Sequence, residues 1–491
     1  MATIEVFTRS IYLLGGELMK QAKAATGSEA SKESGLARFG LALADWSERW
    51  FPDALVFALL GIVIVFIVGL LIGESPYKLA IQGGKGFWTL IPFTMQMAMI
   101  IVGGYVVASA PAVYWVIQRL AAIPSTPRGA IAFVALFSML TSLVSWGFSL
   151  IFSGLLVREL VRRIEGIDYR AIGAAAYLGL GSIWALGLSS SAALLMATKG
   201  SIPPALLNIS GLIPLTQTIF LWESIITALI LVVVSILVAY WSAPSPEHAR
   251  TVDAYDAKFD PINLQLEERS KPGEWLEYSP LLTVLVCLLL FAYLVDVFLT
   301  DPKGPLAALD LNTYNLIFIS VGMLLHWRPK RFLRAVGQSI PATGGVLIQF
   351  PFYAVIFGMI TGTGISHWLA NVFVSITTQS TYPLLVAFYS GVLGLFIPSG
   401  GGKWVIEAPY VLQAANELKV HLGWVVQIYN AAEALPNLIN PFWMLPLLGL
   451  LNVKARDLVG YSVLQLLIHT PIVFFLCWLF AQWIPYVPPI K

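Results

Sequence analysis

Residues 383–415 have the sequence PLLVAFYSGVLGLFIPSGGGKWVIEAPYVLQAA, in which two apolar arms flank the turn-forming segment Pro398-Ser399-Gly400-Gly401-Gly402. Proline removes a backbone donor and glycine lowers helix propensity, so one helix is expected to end at this segment and another to begin after it. Each arm is shorter than the ~20 residues that a helix needs to cross a bilayer. The stretch therefore predicts a helical hairpin that enters a membrane and returns on the same side. One kinked span or two ordinary spans are the alternatives.

A second apolar stretch, 131–157, is interrupted in the same way by Ser145-Trp146-Gly147, and we predict a second re-entrant hairpin there, with the same alternatives. Nine other stretches are apolar and long enough to cross a membrane. They are 53–73, 91–112, 171–198, 216–241, 277–299, 312–327, 345–363, 422–449 and 459–483. The sequence thus predicts an all-α polytopic membrane protein with about nine full crossings.

The composition supports a membrane protein and argues against a soluble globule. Hydrophobic residues make up 58% of the 491 residues and charged residues 11%, whereas a soluble domain has about 25% charged residues with which to cover its core. The net charge of +2 is too small and too scattered to indicate a nucleic-acid partner. Cys287 and Cys477 lie in apolar stretches, which favours single thiols over a disulfide or a metal site. Residues 1–50 lack the pattern of a removable signal peptide, so none is expected.

The basic residues indicate the orientation in the membrane. If the N-terminus is cytoplasmic and neither hairpin crosses, 22 of the 29 Lys and Arg residues fall in cytoplasmic loops, as the positive-inside rule requires. If one hairpin crossed, half of the protein would be turned over against that rule. We therefore expect a cytoplasmic N-terminus and a C-terminus outside.

The chain divides into four segments. Residues 1–52 form a cytoplasmic segment, in which apolar and charged side chains separate on 36–51 as in a helix that lies on the membrane surface. Residues 53–241 and 312–491 each contain, in the same order, two spans, a hairpin, a long span and a further span. The polar loop and linker span of 242–311 separate them, and that additional crossing inverts the second segment relative to the first. Two inverted-topology repeats are typical of secondary transporters, whose sites lie at the repeat interface.

Two of the predicted spans are long and broken. Residues 171–198 contain Gly179, Gly181 and Gly187 before Ser189-Ser190-Ser191, and residues 422–449 contain Glu433, Pro436, Asn437, Asn440 and Pro441. Backbone freed by such breaks is tolerated in a membrane only where it lines protein or water, and its carbonyls suit a cation. We therefore predict a cation-coupling site at Ser189, Ser190, Ser191, Glu433 and Asn437, with Na⁺ as a candidate near Ser189 and Asn437. The alternatives are helix packing by small residues and a structural ion pair at Glu433.

The three glycines of 383–415 let backbone N–H groups approach a ligand, and the helix that begins there directs its positive dipole end to the same place. Lys403 adds a full charge that is costly inside a membrane without a partner. With polar positions of the other breaks, these residues predict a site for a small carboxylate. Its members are Ser145, Gly147, Ser399, Gly400, Gly401, Gly402, Lys403, Asn437 and Asn440. Alternatively, Lys403 pairs with Glu407 one turn further along, or extends to the membrane surface.

Several motifs resemble the bacterial short-chain fatty acid transporter family. The resemblance is carried by Pro398-Ser399-Gly400-Gly401-Gly402-Lys403-Trp404 with Glu407-Ala408-Pro409, by Asn437 with Pro441-Phe442-Trp443, and by the earlier Phe51-Pro52-Asp53-Ala54 and Gly86-Phe87-Trp88. It implies re-entrant hairpins, inverted repeats, a homodimer, and a cargo such as butyrate or acetoacetate. The chain departs from the family pattern at Ala185, where relatives have His, and at Pro436, where they have Thr. Glu433 stands where an Asp is expected.

We therefore expect a secondary active transporter in the bacterial cytoplasmic membrane, a symporter that couples a short monocarboxylate to Na⁺ or to protons. No cofactor other than a coupling ion is expected, and the expected partners are the carboxylate, membrane lipid and a second copy of the chain. The alternative is a carrier or exchanger for a dicarboxylate or an amino-acid-like anion. A membrane-embedded enzyme is disfavoured, because the sequence has no His-Glu-x-x-His motif and no paired intramembrane Asp.

Overall fold

The computed structural model describes residues 54–255, 266, 268–302, 304–397 and 399–489. These residues form helices and the segments that join them, and no strand occurs in the described ranges. The segment 1–52 with its predicted surface helix lies outside them.

The first half of the chain contains helices α1 to α10. They are α1 (Ala54–Leu71), α2 (Pro76–Gly86), α3 (Ile91–Ala108), α4 (Pro111–Leu120), α5 (Pro127–Val144), α6 (Trp146–Val161), α7 (Tyr169–Leu178), α8 (Ser191–Ala197), α9 (Pro204–Ser210) and α10 (Trp222–Ser242). A linker with α11 (Glu274–Tyr278) and α12 (Leu281–Thr300) follows. The second half contains α13 (Leu311–His326), α14 (Pro329–Ser339), α15 (Gly344–Gly362), α16 (Ile365–Ile376), α17 (Tyr382–Phe396), α18 (Gly400–Leu418), α19 (Leu422–Asn437), α20 (Pro441–Leu451) and α21 (Ala455–Ala481).

The apolar helices make this a multi-pass membrane protein. Within the described residues, seven helical segments are long and apolar enough to cross a bilayer, and four shorter apolar helices accompany them. Of the most apolar part of α12, 17% is buried, against 89% for the segment Tyr169–Ala197. The first broken segment therefore lies at the centre of the protein and α12 at its periphery. Cys287 and Cys477 are buried free thiols, as predicted. The number of crossings stays a prediction.

Both interrupted stretches double back on themselves. In α5–α6, named hairpin 1, the hydroxyl of Ser149 donates to the carbonyl of Ser138 at 2.6 Å. A straight helix would place residues eleven apart about 16 Å from each other. In α17–α18, named hairpin 2, Ser390 Oγ donates to Glu407 Oε2 at 2.6 Å and so joins the two arms in the same way. Neither stretch is a single kinked span, whereas re-entry without crossing stays a prediction.

The two long spans are broken at the predicted places. After α7, a π-helical turn at Gly179–Ile183 and a 3₁₀ turn at Trp184–Leu186 lead into non-helical backbone before α8 begins at Ser191. After α19 ends at Asn437, a short turn precedes α20. Tyr177 of α7 donates its hydroxyl to the carbonyl of Asn437 at 2.8 Å. The two broken helices therefore cross each other at their breaks.

Among the helices of ten residues or more, four were not predicted as separate elements: α2, α4, α14 and α16. Three of them begin with proline at the first helical position, namely Pro76, Pro111 and Pro329. Proline fits there because its fixed φ suits the helix and the missing N–H would have no intrahelical partner. A search for spans of about 20 residues overlooks helices of this length.

The same order of helices occurs in both halves, and the halves are interlocked. Helices α1 to α8 are matched in order by α13 to α20. Helices α1 and α2 of the first half pack against α15 of the second, and α13 and α14 of the second half pack against α3 of the first. The first two helices of each half thus pack against a helix of the other half.

Contacts between these helices define their directions. On α1, Gly61 lies against Ile356 of α15, and Gly69 lies against Ile365 just beyond it, so α1 and α15 are parallel. Gly103 lies against Phe318 and Gly322 against Val106, so α3 and α13 are also parallel.

The second helix turns the chain back. Gly83 of α2 lies against Met359 and Gly86 lies against Gly358, while Phe93 of α3 stacks on Phe350 at 5.5 Å between ring centroids. Because the partner residue numbers on α15 fall as the chain advances, α2 and the start of α3 run antiparallel to α15 and hence to α1.

Candidate functional site

The tips of the two hairpins have the same local geometry. Ser145 and Ser399 both have extended backbone, with φ and ψ of −156° and 117° and of −150° and 98° respectively. Each side chain accepts a hydrogen bond from the N–H three residues later, at Phe148 and Gly402. This is the N-cap arrangement for which serine is favoured. Both tips therefore present the N-terminal end of a buried helix to the protein interior.

The three glycines at the tip of hairpin 2 each face a different wall. Gly400 lies against the indole ring of Trp184 in the first broken segment. A Cβ at Gly401 would lie 2.8 Å from the ring of Phe93 and 3.1 Å from Cβ of Ser191. Gly402 lies against the ring of Tyr353 on α15. Glycine fits at these positions because a larger side chain would push the tip away from Trp184, Phe93 and Tyr353.

The tip of hairpin 1 is seated in the opposite half in a related way. Trp146 packs edge-on against Trp443 of α20, with 5.5 Å between ring centroids. Tyr314 of α13 donates its hydroxyl to the carbonyl of Val144 at 2.9 Å. A Cβ at Gly147 would have contacts no closer than 3.8 Å, to the carbonyl of Ile100. Hairpin 1 therefore contacts the second broken helix, as hairpin 2 contacts the first.

The predicted cation-coupling residues lie in this region, at the breaks. Ser189 donates its hydroxyl to the carbonyl of Ser142 in hairpin 1, and Ser190 caps α8 by accepting from the N–H of Ala193 at 3.1 Å. Ser191 lies against the tip of hairpin 2. Asn437 is 1% exposed, and within the described ranges its Oδ1 has no hydrogen-bond partner. Asn440 lies in the turn between α19 and α20.

Glu433, the remaining predicted coupling residue, contacts Lys403. The Lys403 Nζ lies 2.5 Å from Glu433 Oε2 and 3.2 Å from Glu407 Oε1. It also donates to the carbonyl of Ser390 at 2.6 Å and lies 4.6 Å from the centroid of the Tyr429 ring. The side chains of Lys403 and Glu407 are fully buried and that of Glu433 is 1% exposed. We call Lys403, Glu407 and Glu433 the buried triad.

The buried triad combines both alternatives that the sequence left open, a Lys403–Glu407 pair and an ion pair at Glu433. It also shows that the Lys403 ammonium group is already surrounded by oxygen atoms and an aromatic face. A substrate carboxylate would have to compete with two carboxylates for it. The backbone N–H groups at the tip of hairpin 2 are not subject to that competition.

Aromatic residues that the sequence patterns did not indicate as site residues complete the site. Trp184 covers the glycine tip, and its Nε1 is buried without a hydrogen-bond partner among the described residues. Tyr429 lies one turn before Glu433, stacks near Trp404 and donates its hydroxyl to the carbonyl of Gly400 at 2.5 Å. Their position within glycine-rich or charged turns was a usable signal. That signal is weak, because aromatic residues are common in membrane proteins.

Residues 35–480 match the family model described as "Short chain fatty acid transporter". The chain belongs to the short-chain fatty acid transporter family. Two relatives named "Putative short-chain fatty acid transporter" are similar along most of the family region. The protein of Escherichia coli K12 is 35% identical over 424 residues, which cover 85% of this chain and 94% of the relative. The protein of Haemophilus influenzae Rd is 32% identical over 443 residues, which cover 89% and 98%.

Two solved structures share the fold of this family member. The YdaH transporter of Alcanivorax borkumensis gives a TM-score of 0.56 at 14% identity, over 91% of this chain and 100% of that chain. MtrF of Neisseria gonorrhoeae gives a TM-score of 0.54 at 14% identity, over 92% and 98%. At this level of identity the likeness concerns the fold alone.

Proposed function

We propose that this family member is a cation-coupled symporter that carries a short-chain fatty acid or a related monocarboxylate, such as butyrate or acetoacetate, across the bacterial cytoplasmic membrane. The observation that carries the proposal is the convergence of two serine-capped hairpin tips on two broken, mutually crossing helices. Exposed main chain at a shared central site is what a carrier needs to bind a small polar solute inside a bilayer.

The two halves are inverted-topology repeats in this proposal. Helix α1 is parallel to α15 and α13 is parallel to α3, while α3 runs antiparallel to α15. It follows that α13 runs opposite to α1, its counterpart in order. The reciprocal packing of each half's first two helices on the other half supports a two-fold axis between the repeats. The positive-inside rule supports a cytoplasmic N-terminus and an outside C-terminus.

The carboxylate is bound at the tip of hairpin 2 and opposite Trp184. The first N–H groups of α18 have no intrahelical acceptor and lie at the positive end of the helix dipole. Trp184, whose six-membered ring lies against Gly400, offers one further donor in its unpartnered Nε1. Ser145 and Gly147 at the other tip, and Asn437 and Asn440 at the second break, complete the substrate site.

The coupling cation is held on the other side of the same breaks. The carbonyls next to Ser189, Ser190 and Ser191 and the free Oδ1 of Asn437 supply oxygen atoms for Na⁺, whereas Glu433, which contacts Lys403, supplies a carboxylate that can take up a proton. From the resemblance to the family we also expect a homodimer, and the exposed apolar face of α12 is in contact with lipid.

Solute counterflow in proteoliposomes tests the proposal. Purified protein is reconstituted with unlabelled butyrate inside, and labelled butyrate is added outside at a low concentration. A carrier gives saturable uptake and transient counterflow, which a passive channel does not give, and an enzyme would yield a new product. Unlabelled acetate, acetoacetate, a dicarboxylate and an amino acid are then compared as internal solutes. The proposal fails if no C2–C4 monocarboxylate supports counterflow.

A further inference from the structure

The buried triad has an unbalanced charge. Two carboxylates and one ammonium group give a formal charge of −1 in a cluster whose three side chains are at most 1% exposed. Burying an uncompensated charge costs far more than a protein of ordinary stability tolerates, so the cluster takes up a balancing charge. That charge is either a proton or a small cation.

The surroundings of Lys403 identify which of the two it is. Its ammonium group is enclosed by the carbonyl of Ser390, by one oxygen of Glu407 and one of Glu433, and by the face of Tyr429. A carbonyl, two carboxylates and an aromatic face are the surroundings that a bound cation prefers. The Lys403 ammonium group therefore occupies, as part of the chain, a set of groups that could otherwise bind a free cation. It leaves no room for Na⁺ and repels any second cation.

The two carboxylates of the triad are not equivalent. Besides the ion pair of its Oε1 with Lys403, Glu407 accepts a hydrogen bond at Oε2 from the hydroxyl of Ser390, at 2.6 Å. Glu433 Oε1 is buried, and among the described residues it has no hydrogen-bond partner. A carboxylate with two donors keeps its charge more easily than one with a single donor. The proton therefore belongs on Glu433.

No other charged side chain lies in contact with the triad in the described ranges, so the surplus charge is not cancelled from a neighbouring helix. The titratable groups on the elements around the triad include Lys403, Glu407 and Tyr410 on α18, Tyr382 and Tyr389 on α17, Tyr353 on α15, Tyr177 on α7, Tyr429 on α19 itself, and His469 and Cys477 on α21. The remaining ones, Glu417 on α18, Tyr169 and Arg170 on α7, and Arg456, Asp457 and Tyr461 on α21, lie in the first two turns or the last turn of their helices. The tyrosines and the thiol are neutral at physiological pH. His469 is occupied by its contact with Ser235 Oγ on α10, at 3.0 Å.

The corresponding place in hairpin 1 has no charge. Ser145 and Ser399 are 254 residues apart, and the same spacing relates Ser149 to Lys403 and Ser153 to Glu407. Ser149 joins the arms of hairpin 1 through the carbonyl of Ser138, as Lys403 joins the arms of hairpin 2 through the carbonyl of Ser390. A hydroxyl is thus sufficient to hold such a hairpin together. Holding the two arms together therefore does not require the charges of hairpin 2.

A polar face of α18 connects the triad with the protein surface. Beyond Lys403 and Glu407, Tyr410 and Gln413 follow at steps of three residues, and the half-buried Gln413 donates to Nδ1 of the exposed His367 at 2.7 Å. Tyr410 also shares a hydrogen bond of 2.8 Å with the hydroxyl of Tyr389. Proton transfer along side chains and water needs such a succession of polar groups. It leads toward the end of α18 that the positive-inside rule assigns to the outside.

We propose that the buried triad binds one exchangeable proton, carried by Glu433, and that this proton is the coupling ion, with Lys403 in the place of sodium. The inference rests on the proposed function. In each cycle one proton and one carboxylate anion enter together, no bond other than the O–H bond of Glu433 is made or broken, and the step is electroneutral. At one proton per anion, each unit of pH difference supports about tenfold accumulation.

Infrared difference spectroscopy of the purified full-length protein tests the proton directly, without any transport. The wild type is expected to show the carbonyl stretch of one buried protonated carboxyl group at neutral pH. Both Glu433→Gln and Glu407→Gln remove one negative charge, so each leaves a balanced pair and loses that band. Glu223→Gln, the same change at the start of α10, keeps it. The proposal is overturned if the wild type lacks the band, or if either triad variant retains it.

A sodium titration tests the place of Lys403 as the bound cation. Lys403→Ala removes the ammonium group and leaves two carboxylates, so Na⁺ replacing choline at constant ionic strength is expected to raise its unfolding temperature more than that of the wild type. An equal effect in both proteins contradicts the assignment. If Lys403→Ala does not fold, the infrared comparison decides alone.

Uptake then separates this inference from the proposed function. Sodium-free proteoliposomes clamped at zero voltage are expected to take up labelled acetoacetate under an inward proton gradient faster than protein-free liposomes, and faster than those with Glu433→Gln. Uptake driven by Na⁺ at equal pH on both sides would refute the proton as coupling ion but would still agree with the proposed carrier function. A protein with the infrared band but without counterflow of any C2–C4 acid would refute the carrier and keep the proton site.

Discussion

Replacing Gly401 by alanine tests how tightly the tip of hairpin 2 is seated. The new methyl group would lie 2.8 Å from the Phe93 ring and 3.1 Å from Cβ of Ser191, distances at which a neighbour has to move. Overpacking of this kind costs about 1–3 kcal/mol. Alanine is up to ~1 kcal/mol better than glycine within a helix, which offsets part of the loss. With that offset the net cost is up to about 2 kcal/mol, which corresponds to a factor of up to ~30 in population.

Gly449→Ala is the matched control, because it adds the same methyl group to a membrane helix at a position with nothing within 4 Å. Thermal unfolding of the purified protein and the initial rate of butyrate counterflow should both fall for Gly401→Ala and stay unchanged for Gly449→Ala. Phe93→Leu, which removes the closest ring atom, should restore part of the loss in the Gly401→Ala background. Equal behaviour of the two glycine variants would show that the tip is not seated as described.

Three further predictions concern other contacts. Tyr429→Phe removes the hydrogen bond to the first carbonyl of α18 at 2.5 Å while keeping the ring, so thermal unfolding should report a loss of about 1 kcal/mol; an unchanged midpoint contradicts this. Ser145→Ala removes the N-cap of hairpin 1 and should cost about 0.5–2 kcal/mol, with Ser145→Thr close to wild type. Lys78 and the N–H of Gly364 hold the pKa of Glu74 below its ordinary 4.5. The resulting stabilisation is present above that value and is lost as the pH falls through the lowered pKa. Glu74→Gln should therefore flatten the acid side of a plot of melting temperature against pH.

Much of the architecture could be predicted because it depends on local chemistry. The interruptions at Ser145 and Ser399 are visible as turn residues inside apolar stretches, and the structure places a serine cap at each. The breaks after α7 and α19 were predicted from glycine, proline and polar residues. These signals work since proline and glycine act on the backbone wherever they stand.

Contacts between distant segments could not be predicted in that way. Lys403 and Glu407 are one helical turn apart, so their pair was foreseeable. Glu433 lies on another helix, and its 2.5 Å approach to Lys403 depends on how α18 and α19 pack. The same limit applies to Trp184, whose contact with Gly400 joins opposite halves. Composition and spacing carry no information on which faces of two helices meet.

The packing of the first two helices of each half against the other half has a consequence for biogenesis. Helices α1 and α2 leave the ribosome long before α15, the helix against which they pack, has been made. Until α15 is made, these helices lie in the membrane without it, and small-residue faces such as that of Gly61 and Gly69 lack their contacts with the second half. Neither half therefore has a complete set of neighbours by itself. A gene cut within the polar linker should yield two fragments that are degraded when made singly and assemble when made together.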